Sequence, residues 1–193
     1  MSTDSDIIRQ SRDSPRAFGE LFSRHAPRLH RYASRRAGQA VADDVTSETF
    51  LVAFERRATF DHDWDDAAPW LFGIATTLIH KHHRAEARLL RTLAKAAAPD
   101  NVDDETVRAS ERVDAAASVG LLASQLRKLS AADRDCLLLY AWADLSYDEI
   151  AAAMHVPVGT VRSRLNRARR LLRGTTTSQE MDYGRADTAP RNA

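Results

Sequence analysis

Leu145–Leu165, LSYDEIAAAMHVPVGTVRSRL, decides the fold. Ser146 followed by Glu149 has the spacing of a capping box, so a helix starts at Tyr147 and runs to about Met154. His155-Val156-Pro157 reads as a short turn, and a second helix runs from about Val158 to Leu172. Ala151, Ala152 and Ala153 are small where the second helix must approach closely. Ile150, Met154, Val156, Val161 and Leu165 supply the apolar wedge. Two short helices meeting across such a turn make a helix-turn-helix. The second helix has two faces. Val161, Leu165, Ala168 and Leu172 point inward, while Arg162, Ser163, Asn166, Arg167 and Arg170 point elsewhere. Arginine can bond guanine in the major groove through two contacts, and asparagine can do the same with adenine. Other arginines hold phosphates and fix register. An arginine-rich helix is ordinarily just a solvated face. Here the position within the motif, and the lack of any acid from His155 to Gly174, favour DNA contact.

The rest of the chain also reads as helical. Upstream in the same block, Leu121, Leu122, Leu126 and Leu129 give one helix, and Ser130 caps the next, Ala131 to Ala143. An earlier block runs from about Ser14 to Leu93. Phe18, Leu21, Phe22, His25, Leu29 and Tyr32 recur at three- and four-residue spacing, the sign of one buried helix face. Gly38 ends that helix. Val41, Val45, Thr49, Val52 and Ala53 mark another, with Phe50 and Phe54 on an adjoining face. Asp43, Asp44 and Glu48 lie near its start, where carboxylates suit the helix dipole. After the polar stretch Thr59 to Ala68, a helix begins near Pro69 and carries Trp70, Leu71, Ile74 and Leu78.

The expected fold is all-α, with two small helical domains joined by a flexible linker. The boundaries are a flexible N-terminus over 1–13, a helical bundle over 14–93, an acidic linker over 94–117, a helix-turn-helix domain over 118–174 and a disordered tail over 175–193. The net charge of +1 hides this division. Six arginines lie between His155 and Gly174, while Asp100, Asp103, Asp104, Glu105, Glu111 and Asp114 crowd the linker. No apolar run approaches the roughly 20 residues that span a bilayer. The N-terminus lacks the apolar core of a signal peptide, so a cytoplasmic location is expected. The single cysteine, Cys136, sits in an apolar run and reads as a buried, inert thiol. There is no Gly-rich phosphate loop, metal-ligand cluster or nucleophile–base pair, so neither an enzyme nor a cofactor is expected.

Four stretches carry a resemblance to a known family: AFGELFSRHAPRLHRYA at Ala17–Ala33, ADDVTSETFLVAF at Ala42–Phe54, PWLFGIATTLIHKHHR at Pro69–Arg84 and VGTVRSRLNRARRLL at Val158–Leu172. In this order they resemble the extracytoplasmic-function group of sigma factors, the promoter-reading subunits of RNA polymerase. The resemblance implies an alternative sigma factor, not an enzyme. Its partners would be core polymerase (β′ and β subunits), promoter DNA and an anti-sigma factor, with no membrane insertion. By likeness to the family's DD-x-x-x-E-T-F pattern, Asp43, Asp44, Glu48, Thr49 and Phe50 would dock on polymerase. The loop Phe60 to Ala68 and the following helix would read and melt the −10 element, through Asp61, Trp64, Asp65, Thr77, Lys81, Arg84 and Arg88. Trp64 would either stack on a base or pack, whereas Trp70 and Phe72 read as core. Thr160, Arg162, Ser163, Asn166, Arg167 and Arg170 would read the −35 element. Tyr140 would reach the DNA backbone or belong to the core. Thr77 stands where the family often has asparagine, and His80, His82 and His83 replace some usual arginines. The competing reading is a stand-alone helix-turn-helix regulator, which would need a sensor domain that the helical first block does not offer.

Overall fold

Phe18, Leu21, Leu29 and Tyr32 share one face of α2 (Phe18–Ala37), and that face is buried. Gly38, at φ 87°, ends α2 in a conformation that favours glycine, and α3 (Gln39–Glu55) starts at once. α3 buries Val45, Thr49, Phe50 and Ala53 against α2. α4 (Ala68–Ala96) closes the bundle with Leu71, Phe72, Ala75 and Ile79, all fully buried. Tyr32 meets Phe72 edge-on at 5.2 Å, and its hydroxyl shares a 3.0 Å hydrogen bond with Thr76. Thus the phenol is satisfied inside the core. The computed structural model describes residues 2–96 and 124–183, and no strand occurs among them.

The helix-turn-helix block comprises α5 (residues 124–128), α6 (Ala131–Trp142), α7 (Tyr147–Met154) and α8 (Val158–Tyr183). Ser130 caps α6 by accepting from the Asp133 N–H at 3.1 Å. The capping box of α7 is closed on both sides: Ser146 N–H donates to Glu149 at 2.7 Å, and Glu149 N–H donates to Ser146 Oγ at 3.3 Å. His155 ends α7 in the left-handed region, at φ 51°. Cys136 is buried between the helices, its Sγ 3.3 Å from Met154 Sδ, and burial pushes the thiol up.

Two expectations, on the N-terminus and on the tail, are corrected. The segment expected to be a flexible N-terminus holds α1 (Asp4–Gln10), closed at its start by a Thr3/Asp6 capping box and burying Ile7 and Ile8 in the core. α4 starts within one residue of the expected Pro69, and its buried stripe ends at Ile79. α8 continues to Tyr183, through the first part of the expected disordered tail. Both expected helical blocks are present, and α4 of the first lies against α7 of the second. Most of the acidic linker, together with Leu121 and Leu122, lies outside the described residues.

The contact between blocks is close and charged. A Cβ on Gly73 would stand 2.5 Å from the Ala153 carbonyl oxygen, so only glycine lets α4 approach α7 this nearly. Beside it, Asp135 of α6 accepts from His80 Nε2 of α4 at 2.8 Å and from the Arg36 guanidinium of α2. Arg36 and Asp135 side chains are 4% and 8% exposed, so this pair is inside the protein. Burial alone would push the Asp135 carboxyl up. The His80 hydrogen bond and the Arg36 charge overcome it and hold the group below the usual carboxylate range. Arg28 of α2 donates to the Ala143 carbonyl just beyond α6, where a cation meets the negative end of the helix.

Candidate nucleic-acid interface

α8 enters its block along one apolar row. Val161, Leu165 and Ala168 are fully buried against α6 and α7. That row forces the opposite side outward: Arg162, Ser163, Asn166, Arg167 and Arg170 are all exposed, and Thr160 is half-buried in the first turn. The guanidinium side of the helix therefore faces solvent. Two of these groups are already engaged. Ser163 Oγ donates to the Thr160 carbonyl at 2.9 Å. Arg167 donates to both oxygens of Asp133, at 2.9 and 3.3 Å, and these bonds, with the Arg167 charge, pull the Asp133 carboxyl down despite its burial. Sequence reading did not single out Arg169 or its partner Tyr147 for this surface. Arg169 donates to the Tyr147 hydroxyl at 3.1 Å and stacks over Tyr140 at 5.2 Å. Tyr140, 42% exposed, is thus a surface aromatic carrying a cation, not a core residue.

The second candidate surface is a cleft of about 670 Å³ beside α4. Asp61, Trp64, Trp70, Thr77 and Lys81 line it. Asp61 and Asp65 are exposed at the loop tip, and Asp61 folds the tip by accepting from the Asp63 N–H at 3.1 Å. Trp64 is half-buried at the mouth. Trp70, expected in the core, instead lies half-buried on the wall, 5.2 Å from Phe60. Phe72 is core, as read. Thr77 is exposed, its hydroxyl donating to the Gly73 carbonyl at 3.0 Å. Arg84 and Arg88 lie exposed further along α4. Ala152, Ala153 and His155 of the other block close the cleft's far side.

α3 separates its expected docking residues into two groups. Asp43 and Asp44 are exposed, with His30 3.0 Å from Asp43. Glu48 is half-buried and accepts from Lys81 at 2.9 Å, with His82 at 3.7 Å, so it links the docking helix to the cleft. Thr49 and Phe50 correct the expectation. Thr49 is fully buried and donates to the Val45 carbonyl at 2.6 Å, and Phe50 packs under Phe22 at 4.8 Å. Neither side chain is free for a partner. Exposed Leu51 and Phe22 stand on the surface in their place. His80 and His82 face carboxylates of different elements, Asp135 and Glu48.

Two family models match the chain: Sigma-70 region 2 over residues 21–89, and Sigma-70 region 4 over residues 120–172. The ECF RNA polymerase sigma factor SigL of Mycobacterium tuberculosis is 32% identical over 166 residues, covering 86% of this chain and 90% of SigL. The chain belongs to the extracytoplasmic-function sigma factors. It is an alternative sigma factor, directing promoter-specific initiation of transcription. The ECF sigma factor BldN of Streptomyces coelicolor is 31% identical over 159 residues, 81% of this sigma factor but only 59% of BldN. Among solved structures, CnrH in complex with the cytosolic domain of CnrY superimposes with a TM-score of 0.62 at 27% identity, covering 91% of this sigma factor and 97% of CnrH. The fold is shared with RpoE of Bartonella quintana, solved with the anti-sigma factor NepR (TM-score 0.57, 22% identity, 83% and 96% covered). Among the described residues, no helix of this sigma factor is long and apolar enough to cross a membrane.

Proposed function

We propose that this sigma factor binds core RNA polymerase through the exposed face of α3, reads the −35 element with α8, and reads and opens the −10 element at the α4 cleft. The observation that carries this reading is the two-sided α8, with a fully buried apolar row beneath an exposed row of arginine and asparagine. A helix so built offers its polar edge to a major groove. Arg162, Asn166 and Arg170 are its base readers, while Thr160 and Arg167 hold phosphates, since Arg167 must first leave Asp133. At the cleft, Trp64 stacks a base drawn out of the duplex, and Asp61 and Asp65 meet base edges because their charge repels phosphate. Lys81, Arg84 and Arg88 track the separated strand.

On α3, Asp44, Glu48 and Leu51 share a face, with Asp43 and Phe22 nearby. Exposed apolar groups ringed by carboxylates suit a protein partner, here the polymerase β′ and β subunits. An anti-sigma factor competes for the same ground; a relative, CnrH, is solved in complex with the cytosolic domain of CnrY. The blocks correspond to a core- and −10-binding domain over 14–93 and a −35-binding domain over 118–174. The work is done in the cytoplasm and is one of positioning, with no bond made or broken by this chain.

The test is transcription from a promoter library randomised at both elements, using core polymerase loaded with the full chain. Arg162→Ala and Asn166→Ala are each expected to relax selection at one −35 base by roughly 5- to 100-fold, leaving −10 selection intact. A chain that binds promoter DNA tightly alone but not core polymerase would instead be a stand-alone regulator.

A further inference from the structure

The −10 loop, between Thr59 and Ala68, has little structure of its own. Its internal bonds are short-range: Trp64 N–H to the Asp61 carbonyl at 3.2 Å, and Ala68 N–H to Asp66 at 2.7 Å. Such a segment would ordinarily sample many shapes, and ordering it on DNA would cost binding energy. What holds it lies at the other end of the sequence. Asp4 of α1 is buried, and its carboxylate accepts from the Ala67 N–H at 2.9 Å, His25 Nε2 at 2.5 Å and Arg24 at 2.8 Å. The Asp4 N–H in turn donates to the Asp65 carbonyl at 2.9 Å. Ser5 Oγ is 2.9 Å from His62 Nδ1. Arg12 reaches the Ala58 carbonyl at 3.3 Å and His62 Nε2 at 3.4 Å.

These bonds fall at 58, at the root of the loop, and at 62, 65 and 67 within it. They hold backbone and His62 and leave the side chains of Asp61, Trp64 and Asp65 untouched. Ile7 and Ile8 anchor α1 in the bundle core, so the brace is rigid against the same body that carries α4.

We propose that α1 is a positioning element for −10 recognition, with Asp4, Ser5 and Arg12 setting the shape of the base-reading loop without touching DNA. The inference rests on the reading of that loop as the −10 reader. Pre-shaping favours one set of bases, because a loop already fixed cannot adjust to a wrong base at low cost. Losing the brace therefore lowers discrimination more than overall binding.

The experiment again uses core polymerase loaded with the full chain on the doubly randomised library, scoring each base position separately. Asp4→Asn, and separately the double change Ser5→Ala with Arg12→Ala, are expected to lower −10 selectivity by roughly 10-fold. Selection at −35 and affinity for core polymerase should stay within about 2-fold. The double change removes only partly exposed contacts, so it tests the idea even if Asp4→Asn does not fold. Trp64→Ala serves as the control on the loop itself. If Trp64→Ala alters −10 selection and both brace variants leave it unchanged, the brace is overturned and the loop reading stands. If Trp64→Ala changes nothing, the loop reading fails first. Equal losses at −10 and −35 in the double variant would mark α1 as merely structural and also overturn the proposal.

Discussion

His155 shows how much a single side chain can be made to bear. It ends α7 at φ 51°, where a Cβ is costly, and its ring also borders the cleft under Trp64. Replacing it with glycine removes the backbone penalty, so His155→Gly should raise stability by about 1 kcal/mol, read as a higher thermal midpoint. The helix-turn-helix was legible because Ser146, Glu149 and the inward row of α8 each carry a local signature. Thr49 and Phe50 went the other way. The family pattern names them as docking residues, yet the apolar interval that runs through Val45, Thr49 and Ala53 already marks a buried face, and burial is what the structure shows. A motif says which residues recur together. It does not say which side of the helix they occupy.

Among the elements, α1 was read least well, for a physical reason. α1 is seven residues long, too short for an apolar period to show. Its one sequence cue was Thr3 with Asp6 before Ile7 and Ile8, a capping signature. Its energetics give a pH test. Burial alone would push the Asp4 carboxyl up, but the bonds from His25, the Ala67 amide and Arg24 outweigh it and bring it from 3.8 to about 2. A lowered acid stabilises the fold fully above its unfolded value and loses that contribution as pH falls toward the folded one. Stability should therefore decline as pH drops from about 4 toward 2, measured as the urea midpoint. In Asp4→Asn that decline should be shallower, from a lower starting point. Asp135, also held low, adds to the slope in the same direction.

At the scale of the whole molecule, the joining of the two blocks was invisible to sequence. Arg36, His80 and Asp135 come from three helices far apart in the chain, and no periodicity connects them. Asp135→Asn leaves the Arg36 guanidinium buried with one partner fewer, on top of an Nη1 that already has none. The expected cost is about 3–5 kcal/mol to the closed packing. Gly73→Ala attacks the same contact sterically, through the Ala153 carbonyl. Both variants should expand the free chain, giving a larger radius of gyration by small-angle X-ray scattering, with the helix content unchanged. Sites at −35 and −10 lie about 25 base pairs apart, roughly 85 Å of duplex at about 3.4 Å a step. Two blocks packed as closely as Gly73 against Ala153 cannot straddle that interval. A chain gripping both sites would therefore take a more open shape, in which Asp135 would exchange Arg36 and His80 for water and Trp64 would be parted from α7.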